Sequence, residues 1–356
     1  MKLEEIDRNF KAEAVVTDED VEWISALDER FVLSGVYYSE KEECFMRLPR
    51  EVAASASDGV GALSSYSTGG RLRFVTDSPY IAIRAVLTRM MPMPHMTILN
   101  RFGFSIYSNQ GYHAMIAPAA SLFMGSEKRV AYEGIKRFGS KKRDYTIYFP
   151  SYGELCSLFI GVRRGSYFGK PRAYKNEGAP VAFYGSSITM GGCASRPGTD
   201  YVAEACRELG LDFLNFGFSG CCKAEMPLAD YFASLPLSLF VYDYDHNAPS
   251  ADYLEQTHEK FFLRLRELRP DLPVLMMSRP TRTSEYKRRR EIVRKTYENA
   301  IARADENVYY LDGMSFFHEG ARPYTTVDEV HPNDYGFYLM ARKVKKAIRD
   351  ILKKTK

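Results

Sequence analysis

The sequence predicts two domains, an antiparallel β-sandwich followed by an α/β domain whose parallel sheet lies between helices. The chain has 356 residues, more than one hydrophobic core usually organises. Residues 30–170 consist of short strand-like runs and turns, whereas apolar runs alternate with segments of helical period from residue 180 onward. A polar stretch at 165–179 separates the two patterns. We therefore expect domains at residues 1–175 and 176–356.

The pattern of the first half favours antiparallel strands. Arg71–Leu87 alternates apolar and polar positions around an internal Asp-Ser-Pro turn. Similar β-rich runs occupy Phe102–Ile116 and Asp144–Val162. Several short strands must bury one face against a second sheet, so a sandwich is predicted.

The second half repeats a strand-then-helix pattern. The predicted strands are Val181–Tyr184, Phe213–Phe216, Leu237–Tyr242, Val274–Met277 and Val308–Leu311, and the predicted helices are Asp200–Leu209, Ala251–Leu268, Glu285–Ala304 and Tyr335–Leu352. Such alternation predicts a parallel sheet with helices on both faces.

The charge balance argues against a polyanionic partner. The chain carries 49 basic and 45 acidic residues, a net charge of +4, which is too even to predict nucleic-acid binding. The densest basic run, 287–290, falls in a predicted helix. We interpret it as a solvated helix face rather than a nucleic-acid patch.

The cysteines and the N-terminus favour a cytoplasmic protein that does not enter a membrane. The six cysteines fit no zinc-binding spacing, and Cys221 and Cys222 are adjacent, so free thiols in a reducing compartment are expected. The first residues contain no signal-peptide apolar region. No stretch approaches the roughly 20 apolar residues of a membrane span.

A candidate nucleophile follows the first strand of the second half. Gly185-Ser186-Ser187 begins where that strand ends, at the carboxyl edge where open α/β sheets bind ligands. Small residues permit a sharp turn there. Taken alone, the motif is also compatible with a turn that has no chemical role.

A candidate acid–base pair follows the last predicted strand. A serine hydroxyl needs a neighbouring imidazole to accept its proton. Asp328 precedes His331 by three residues, so a one-turn loop can hold the carboxylate against the ring. The segment could equally be a His-Pro turn before a helix.

Two further loops offer donors for an oxyanion. Gly220 follows the second strand and can present its backbone N–H, while Asn247 follows the third and can present its side-chain amide. Each could also be an ordinary turn residue, but all the candidates fall at carboxyl ends of predicted parallel strands.

Along the chain, the candidates follow the order Ser, Gly, Asn and Asp-x-x-His. This order resembles the motif pattern of the SGNH, or GDSL-type, hydrolase superfamily over about residues 178–354. The resemblance implies a flavodoxin-like three-layer α/β/α domain. It implies that Ser187 is the nucleophile, that Asp328 and His331 complete the triad, and that Gly220 and Asn247 form the oxyanion hole. It requires no cofactor and no metal.

Two positions depart from the family pattern. Ser186 stands where many members have Asp, and the third block reads Asp245-His246-Asn247-Ala248 without the usual glycine, which leaves the shape of that loop open. His246 lacks a paired Asp-x-x-His context, so we expect at most a pocket residue.

The first half has a likeness of its own. Gly103-Phe-Ser-Ile-Tyr107 is similar to the G-x-D-L-Y signature of a β-rich domain that precedes some SGNH esterases, with Ser105 in place of Asp. The likeness implies a jelly-roll-like sandwich. The methionine-rich segment Met90–Met96 could bind copper, but a contact with the second domain is the preferred interpretation.

The resulting hypothesis is a serine esterase that forms an acyl-enzyme and removes a small acyl group, such as acetyl, from a carbohydrate or related small substrate. An acyltransferase with the same triad and a non-catalytic carbohydrate-binding protein are the alternatives. A small-molecule or oligosaccharide ester is the expected partner, and the oligomeric state is left open.

Overall fold

The computed structural model describes Val16 and residues 20–88, 93–118 and 128–354. Within them the chain forms antiparallel sheets in its first half and a five-stranded parallel sheet in its second. The predicted fold class, a β-sandwich followed by a three-layer α/β/α domain, is confirmed.

Two antiparallel sheets build the sandwich. The first contains β1 (Val21–Ser25), β6 (Tyr80–Thr88), β9 (Arg129–Arg137) and β11 (Leu155–Arg163), and the second contains β2 (Val32–Ser34), β5 (Arg71–Thr76), β7 (Phe104–Ser108), β8 (Gly111–Ile116), β10 (Arg143–Tyr148) and β12 (Phe168–Gly169). The strand orders are β1-β11-β6-β9 and β12-β5-β10-β7-β8, with β2 also paired to β5. A separate hairpin joins β3 (Tyr37–Ser39) to β4 (Cys44–Met46).

The core of the sandwich follows from the strand period of two. On β6, Ile83 is buried while Arg84 is exposed. Ile83 packs with Phe74, Ile106 and Ile160 from the facing and neighbouring strands.

The α/β domain has the predicted strand–helix alternation. Its strands are β13 (Val181–Gly185), β14 (Phe213–Gly217), β15 (Leu239–Asp243), β16 (Val274–Met277) and β17 (Val308–Leu311), and its helices are α4 (Tyr201–Leu209), α5 (Met226–Ser234), α6 (Ala251–Leu268), α7 (Tyr286–Ala302) and α8 (Asp334–Lys354). The sheet order is β14-β13-β15-β16-β17. All its registered neighbours are parallel, so the carboxyl ends of its strands share one edge.

Both faces of this sheet are buried. Ala182 and Tyr184 contribute to the core beneath α5, α6 and α7, while Val181 and Phe183 contribute to the core beneath α4 and α8. Alternate side chains of one strand therefore serve two different cores, which is why the strand is apolar throughout.

Four helices were not anticipated from the sequence. α5 lies between the second and third strands, with Pro227 in its first turn. The first half contains α1 (Arg50–Ala56), α2 (Asp58–Leu63) and α3 (Ile98–Phe102). These helices are short, so their helical periodicity is weak in the sequence.

The two halves share their cores. Leu48, Ala53 and Val60 from the first half join the core that contains Tyr184, and Tyr107 and Tyr148 join the core on the opposite face of the sheet. The first half therefore packs extensively against the α/β domain. None of the helices in the described part of the chain is long and apolar enough to cross a membrane.

Candidate active site

Ser187 lies on a tight turn directly after β13. A Cβ at Gly185 would meet the side chain of Thr189 and lie 2.7 Å from the carbonyl oxygen of Asp243, so only glycine allows the chain to turn there. The N–H of Met190 donates to the carbonyl of Ser186 at 3.0 Å and that of Gly192 to the carbonyl of Ser187 at 2.8 Å. The turn leaves Ser187 8% exposed, at the carboxyl edge of the sheet.

Ser187, His331 and Asp328 form a hydrogen-bonded chain. The Ser187 Oγ lies 2.8 Å from His331 Nε2, and His331 Nδ1 lies 2.7 Å from Asp328 Oδ2. With its proton on Nδ1, the ring donates to Asp328 and accepts from Ser187. This arrangement allows His331 to take the serine proton while the carboxylate stabilises the imidazolium.

The loop that carries the pair is preorganised by its own backbone. Asp328 Oδ1 accepts from the N–H of His331 at 2.7 Å and from that of Val330 at 3.2 Å, and Glu329 takes a left-handed φ of 66°. Partial burial raises the pKa of Asp328, but the hydrogen bonds from His331 lower it more, so the net pKa lies below its ordinary value. The carboxylate is therefore ionised at neutral pH.

Asp334, the first residue of α8, ties the serine turn to the histidine loop. Its carboxylate accepts from the Ser195 N–H at 2.8 Å, the Ser195 hydroxyl and the Thr199 hydroxyl at 3.2 Å. Three bonds thus fix the distance between the loop that bears Ser187 and the helix that follows His331.

Gly220 and Asn247 are brought into contact, but with each other. The Gly220 N–H donates to Asn247 Oδ1 at 3.2 Å, and Asn247 Nδ2 lies 2.7 Å from the Phe218 carbonyl and 2.9 Å from Cys222 Sγ. Gly220 has a φ of +68°, which favours glycine. The N–H groups of Gly220 and Asn247 therefore do not converge on a free site. For both to donate to one oxygen, a ligand oxygen would have to replace the Gly220–Asn247 bond.

The loop bearing Asn247 is a short 3-10 helix, Asp245–Asn247, so the missing glycine is accommodated. Arg279 donates to the Asp245 carboxylate through its backbone N–H at 3.0 Å and its Nε at 3.1 Å. Arg289 donates to the carbonyls of Asp245 and Ala248 at 3.0 Å each. Two buried guanidiniums thus hold the loop in place.

The surroundings of His246 do not favour a role as a base. Burial and the positive charge of Arg279 hold its pKa well below its ordinary value. Its Nε2 is buried and has no hydrogen-bond partner among the described residues. The ring is neutral at physiological pH.

Arg47, from the first half, braces the loop after β14. Its guanidinium donates to the carbonyls of Asn215 at 2.9 Å, Gly217 at 2.6 Å and Leu63 at 2.7 Å, and lies 4.5 Å from the centre of the Phe218 ring. Burial lowers its pKa to about 9, so it stays charged at neutral pH. The segment that leads to Gly220 is therefore held by the sandwich half.

The sandwich half also contacts the serine turn directly. The Tyr152 hydroxyl donates to the Ser187 carbonyl at 3.2 Å, and Asn100 Nδ2 donates to the Gly191 carbonyl at 2.9 Å. Met93 and Met96 belong to a small apolar cluster that includes Tyr152, Met190 and Cys193. Residues 90–92 of the methionine-rich segment lie outside the described residues.

Sequence reasoning missed the residues that support the site. Tyr152, Arg47 and Arg279 carry no local motif, since each acts across a long sequence separation. Arg289 was interpreted as part of a solvated helix face, and that interpretation is wrong because the residue is 4% exposed. Its neighbours Arg288 and Arg290 are partly exposed and form ion pairs with Asp252 and Asp312.

Other features of the described residues offer weaker candidates. A surface cavity of about 370 Å³ is lined by Arg266, Asp305 and Asn307 among others. It lies at the amino ends of β16 and β17, opposite the edge that holds Ser187, and contains no nucleophile.

The six cysteines, which are Cys44, Cys156, Cys193, Cys206, Cys221 and Cys222, are all unpaired.

Comparison with known families follows the division of the chain. Residues 178–349 match the GDSL-like lipase/acylhydrolase family, and residues 21–168 match the N-terminus of SGNH-hydrolase-type esterases. None of the curated proteins matches the chain.

Solved structures match both halves together. A protein from Bacteroides ovatus assigned as a GDSL-like lipase is 27% identical, with a TM-score of 0.82 over 94% of this chain and 98% of its own. The salicylyl-acyltransferase of a tetracycline biosynthetic pathway is 19% identical, with a TM-score of 0.75 over 94% and 98%. An acetyl xylan esterase from Butyrivibrio proteoclasticus is 13% identical, with a TM-score of 0.57 over 93% and 98%. The last two likenesses concern the fold.

Proposed function

We propose that this ester hydrolase removes small acyl groups, acetyl foremost, from a carbohydrate through an acyl-enzyme on Ser187. Residues 178–349 match the GDSL-like lipase/acylhydrolase family and residues 21–168 match the N-terminus of SGNH-type esterases, which supports ester hydrolysis. The observation that carries the proposal is the continuous contact from Ser187 Oγ through His331 to Asp328, at 2.8 and 2.7 Å.

In the acylation step, His331 Nε2 takes the proton of Ser187 as Oγ attacks the ester carbonyl carbon. The imidazolium that forms is stabilised by Asp328, which is held ionised by the hydrogen bonds from the histidine. His331 then gives its proton to the leaving alcohol oxygen as the carbon–oxygen bond breaks. The product is an acyl ester on Ser187 and a free alcohol.

In the deacylation step, a water molecule takes the place of the alcohol. His331 removes its proton, the resulting hydroxide adds to the acyl carbonyl, and Ser187 Oγ leaves with the proton returned from the ring. The same imidazole therefore moves the proton in both steps.

The oxyanion of both tetrahedral intermediates is assigned to Gly220 and Asn247. Their mutual hydrogen bond of 3.2 Å keeps the two groups adjacent, and the incoming oxygen would take the Gly220 N–H from Asn247 Oδ1. The Asn247 amide would then turn one N–H toward the same oxygen. Two N–H donors directed at one oxygen stabilise the charge that develops there in the transition state.

The substrate class follows from the surroundings of the serine. His95 and Met96 of the sandwich half lie beside His331 and Cys193 respectively, so the other domain borders the site. A site walled by two domains suits a bulky alcohol that carries a small acyl group. Structures of carbohydrate esterases share this two-part architecture, which supports a sugar ester as the substrate.

A fluorophosphonate probe followed by mass spectrometry tests the nucleophile. We expect the probe to label the wild-type protein and the Ser186→Ala variant, and not the Ser187→Ala variant. Ser186 is a matched control because it is the adjacent serine, and its buried Oγ accepts a hydrogen bond from the Ile188 N–H at 3.2 Å. Unchanged labelling of Ser187→Ala would contradict the assignment. No labelling of a folded wild-type chain would favour a non-catalytic carbohydrate-binding protein.

A screen of acetylated sugars and p-nitrophenyl esters of increasing chain length tests the substrate class. We expect turnover to be highest for acetyl groups and to fall as the acyl chain lengthens. Product analysis with added free sugars distinguishes hydrolysis from transfer, because an acyltransferase would yield acylated sugar in place of free acid.

The cytoplasmic location expected from the sequence stays a prediction.

A further inference from the structure

Three side chains that favour borderline metal ions, one of them His331 of the proposed triad, lie close together. One candidate ligand atom from each of His95, Cys193 and His331 lies within 4.8 Å of the other two. The centres of the His95 and His331 rings are 5.4 Å apart, with their planes inclined by 32°. The three residues come from three separate segments, so only the fold brings them together.

The chemistry of the set matches zinc. Imidazole nitrogen and thiolate sulfur are its preferred protein ligands, with bonds of about 2.0 Å to nitrogen and about 2.3 Å to sulfur. A tetrahedral angle between two such bonds places the ligand atoms roughly 3.5 Å apart. A cluster within 4.8 Å reaches that spacing with side-chain movements of roughly 1 Å. A fourth position would remain for water, as in open zinc sites.

The surroundings of His331 suit a metal ligand as well as a general base. Its Nδ1 is bonded to Asp328 at 2.7 Å, which directs the Nε2 lone pair away from the carboxylate. Carboxylate–histidine–zinc chains use this same arrangement to orient the ring. The atom that accepts the Ser187 proton is therefore the atom available to a metal.

The thiol of Cys193 has no other role that would compete with metal binding. It is 6% exposed, is unpaired and packs in the apolar cluster with Met96, Tyr152 and Met190. No step of the proposed hydrolysis uses its thiol. His95 likewise has no role in proton transfer.

We propose that His95, Cys193 and His331 form an inhibitory binding site for a divalent zinc-like ion, which occupies His331 Nε2 and thereby blocks activation of Ser187. The inhibition, though not the metal site, rests on the proposed function. Bound metal also links the two domains, since His95 belongs to the sandwich half and the other ligands belong to the α/β half. Binding to the folded state alone stabilises it by mass action.

The first test is spectroscopic and independent of activity. Metal-stripped full-length protein is titrated with Co²⁺, a probe for tetrahedral zinc sites. We expect a thiolate-to-cobalt charge-transfer band in the wild-type protein, loss of the band in Cys193→Ser, and binding at least tenfold weaker in His95→Asn. Cys156→Ser and His318→Asn, which lie outside the cluster, serve as matched controls and should bind like the wild type. Absence of the band in the wild type, or its persistence in Cys193→Ser, would overturn the site.

The second test measures the consequence for Ser187. Fluorophosphonate labelling of the wild type should slow by tenfold or more when Zn²⁺ is added and recover with chelator, and the melting temperature should rise. Both effects should be lost in Cys193→Ser. A cobalt band without any labelling of metal-free protein would refute the proposed function and leave the metal site standing. Normal labelling that zinc does not slow would refute the inhibitory role.

Discussion

The Tyr152 hydroxyl donates a hydrogen bond of 3.2 Å to the main-chain carbonyl of Ser187. Tyr152 lies between β10 and β11 of the sandwich, whereas Ser187 follows the first strand of the α/β domain. The Gly192 N–H donates to the same carbonyl at 2.8 Å. The backbone of the proposed nucleophile is thus held from both domains, and its position depends on how they pack.

Tyr152→Phe should lower turnover several-fold while the protein stays folded. The variant removes one of the two donors to the Ser187 carbonyl and keeps the buried ring, which costs about 1 kcal/mol for a neutral hydrogen bond. Steady-state kinetics should show the loss mainly in kcat, since the serine turn is loosened rather than the substrate contacts. Tyr80→Phe is the matched control, because its hydroxyl bonds Asp20 at 2.8 Å on the far part of the sandwich. Equal effects of the two variants would argue against a positioning role.

Asn247→Ala should reduce kcat by about 100-fold or more with little change in KM, because loss of one oxyanion donor has effects of that size. Phosphonate labelling of Ser187 should persist at a lower rate. The comparison variant is His246→Ala, because His246 is next to Asn247 in the chain and has a neutral, partly buried ring with no assigned donor role. A larger loss of kcat in His246→Ala than in Asn247→Ala, with both proteins folded, would transfer the oxyanion role to His246.

Arg47→Met should destabilise the protein by several kcal/mol, since each buried carbonyl left without its donor costs about 1–3 kcal/mol. The carbonyls of Leu63, Asn215 and Gly217 would lose their donor in a dry interior. Thermal unfolding monitored by calorimetry measures the effect. Arg30→Met, whose exposed guanidinium pairs with Asp28 and Glu22, should change stability by under about 1 kcal/mol. Similar melting temperatures for the two variants would contradict the brace.

Because of Asp243, the free energy of unfolding should fall as the pH rises from about 4 to 7. Burial raises its pKa from 3.8 to about 7, although hydrogen bonds from Tyr201 and Thr189 oppose the rise. In this window the folded state retains a proton that the unfolded state releases, so the free energy of unfolding falls with increasing pH and levels off above 7. One pKa unit corresponds to about 1.4 kcal/mol.

The Asp243→Asn variant removes this titration and keeps an oxygen acceptor for Tyr201. Between pH 5 and pH 8, the free energy of unfolding should therefore fall by a few kcal/mol less in this variant than in the wild type. Denaturant unfolding at both pH values gives the difference, and Asp230→Asn on the exposed face of α5 serves as the control. Parallel pH profiles for wild type and Asp243→Asn would show that Asp243 ionises normally.

Much of the architecture was predictable because the physical causes are local. The strand-length apolar runs in the second half carry side chains for two faces at once, and Val181–Tyr184 shows this directly in its alternating membership of the two cores. The five strand positions could therefore be predicted. α5 could not, since its nine residues give too little helical period between two strands.

The sequence by itself determined the alternation of elements and the order Ser187, Gly220, Asn247, Asp328 and His331 along the chain. Because parallel strands end at one edge, that order already predicts that these residues lie at a common edge. Only the tertiary structure decided their contacts and their supports. Arg47 reaches the carbonyl of Gly217 across 170 positions of sequence, and His95 reaches His331 from the other domain. Such contacts depend on the packing of one domain against another, and no local pattern of residue types encodes that packing.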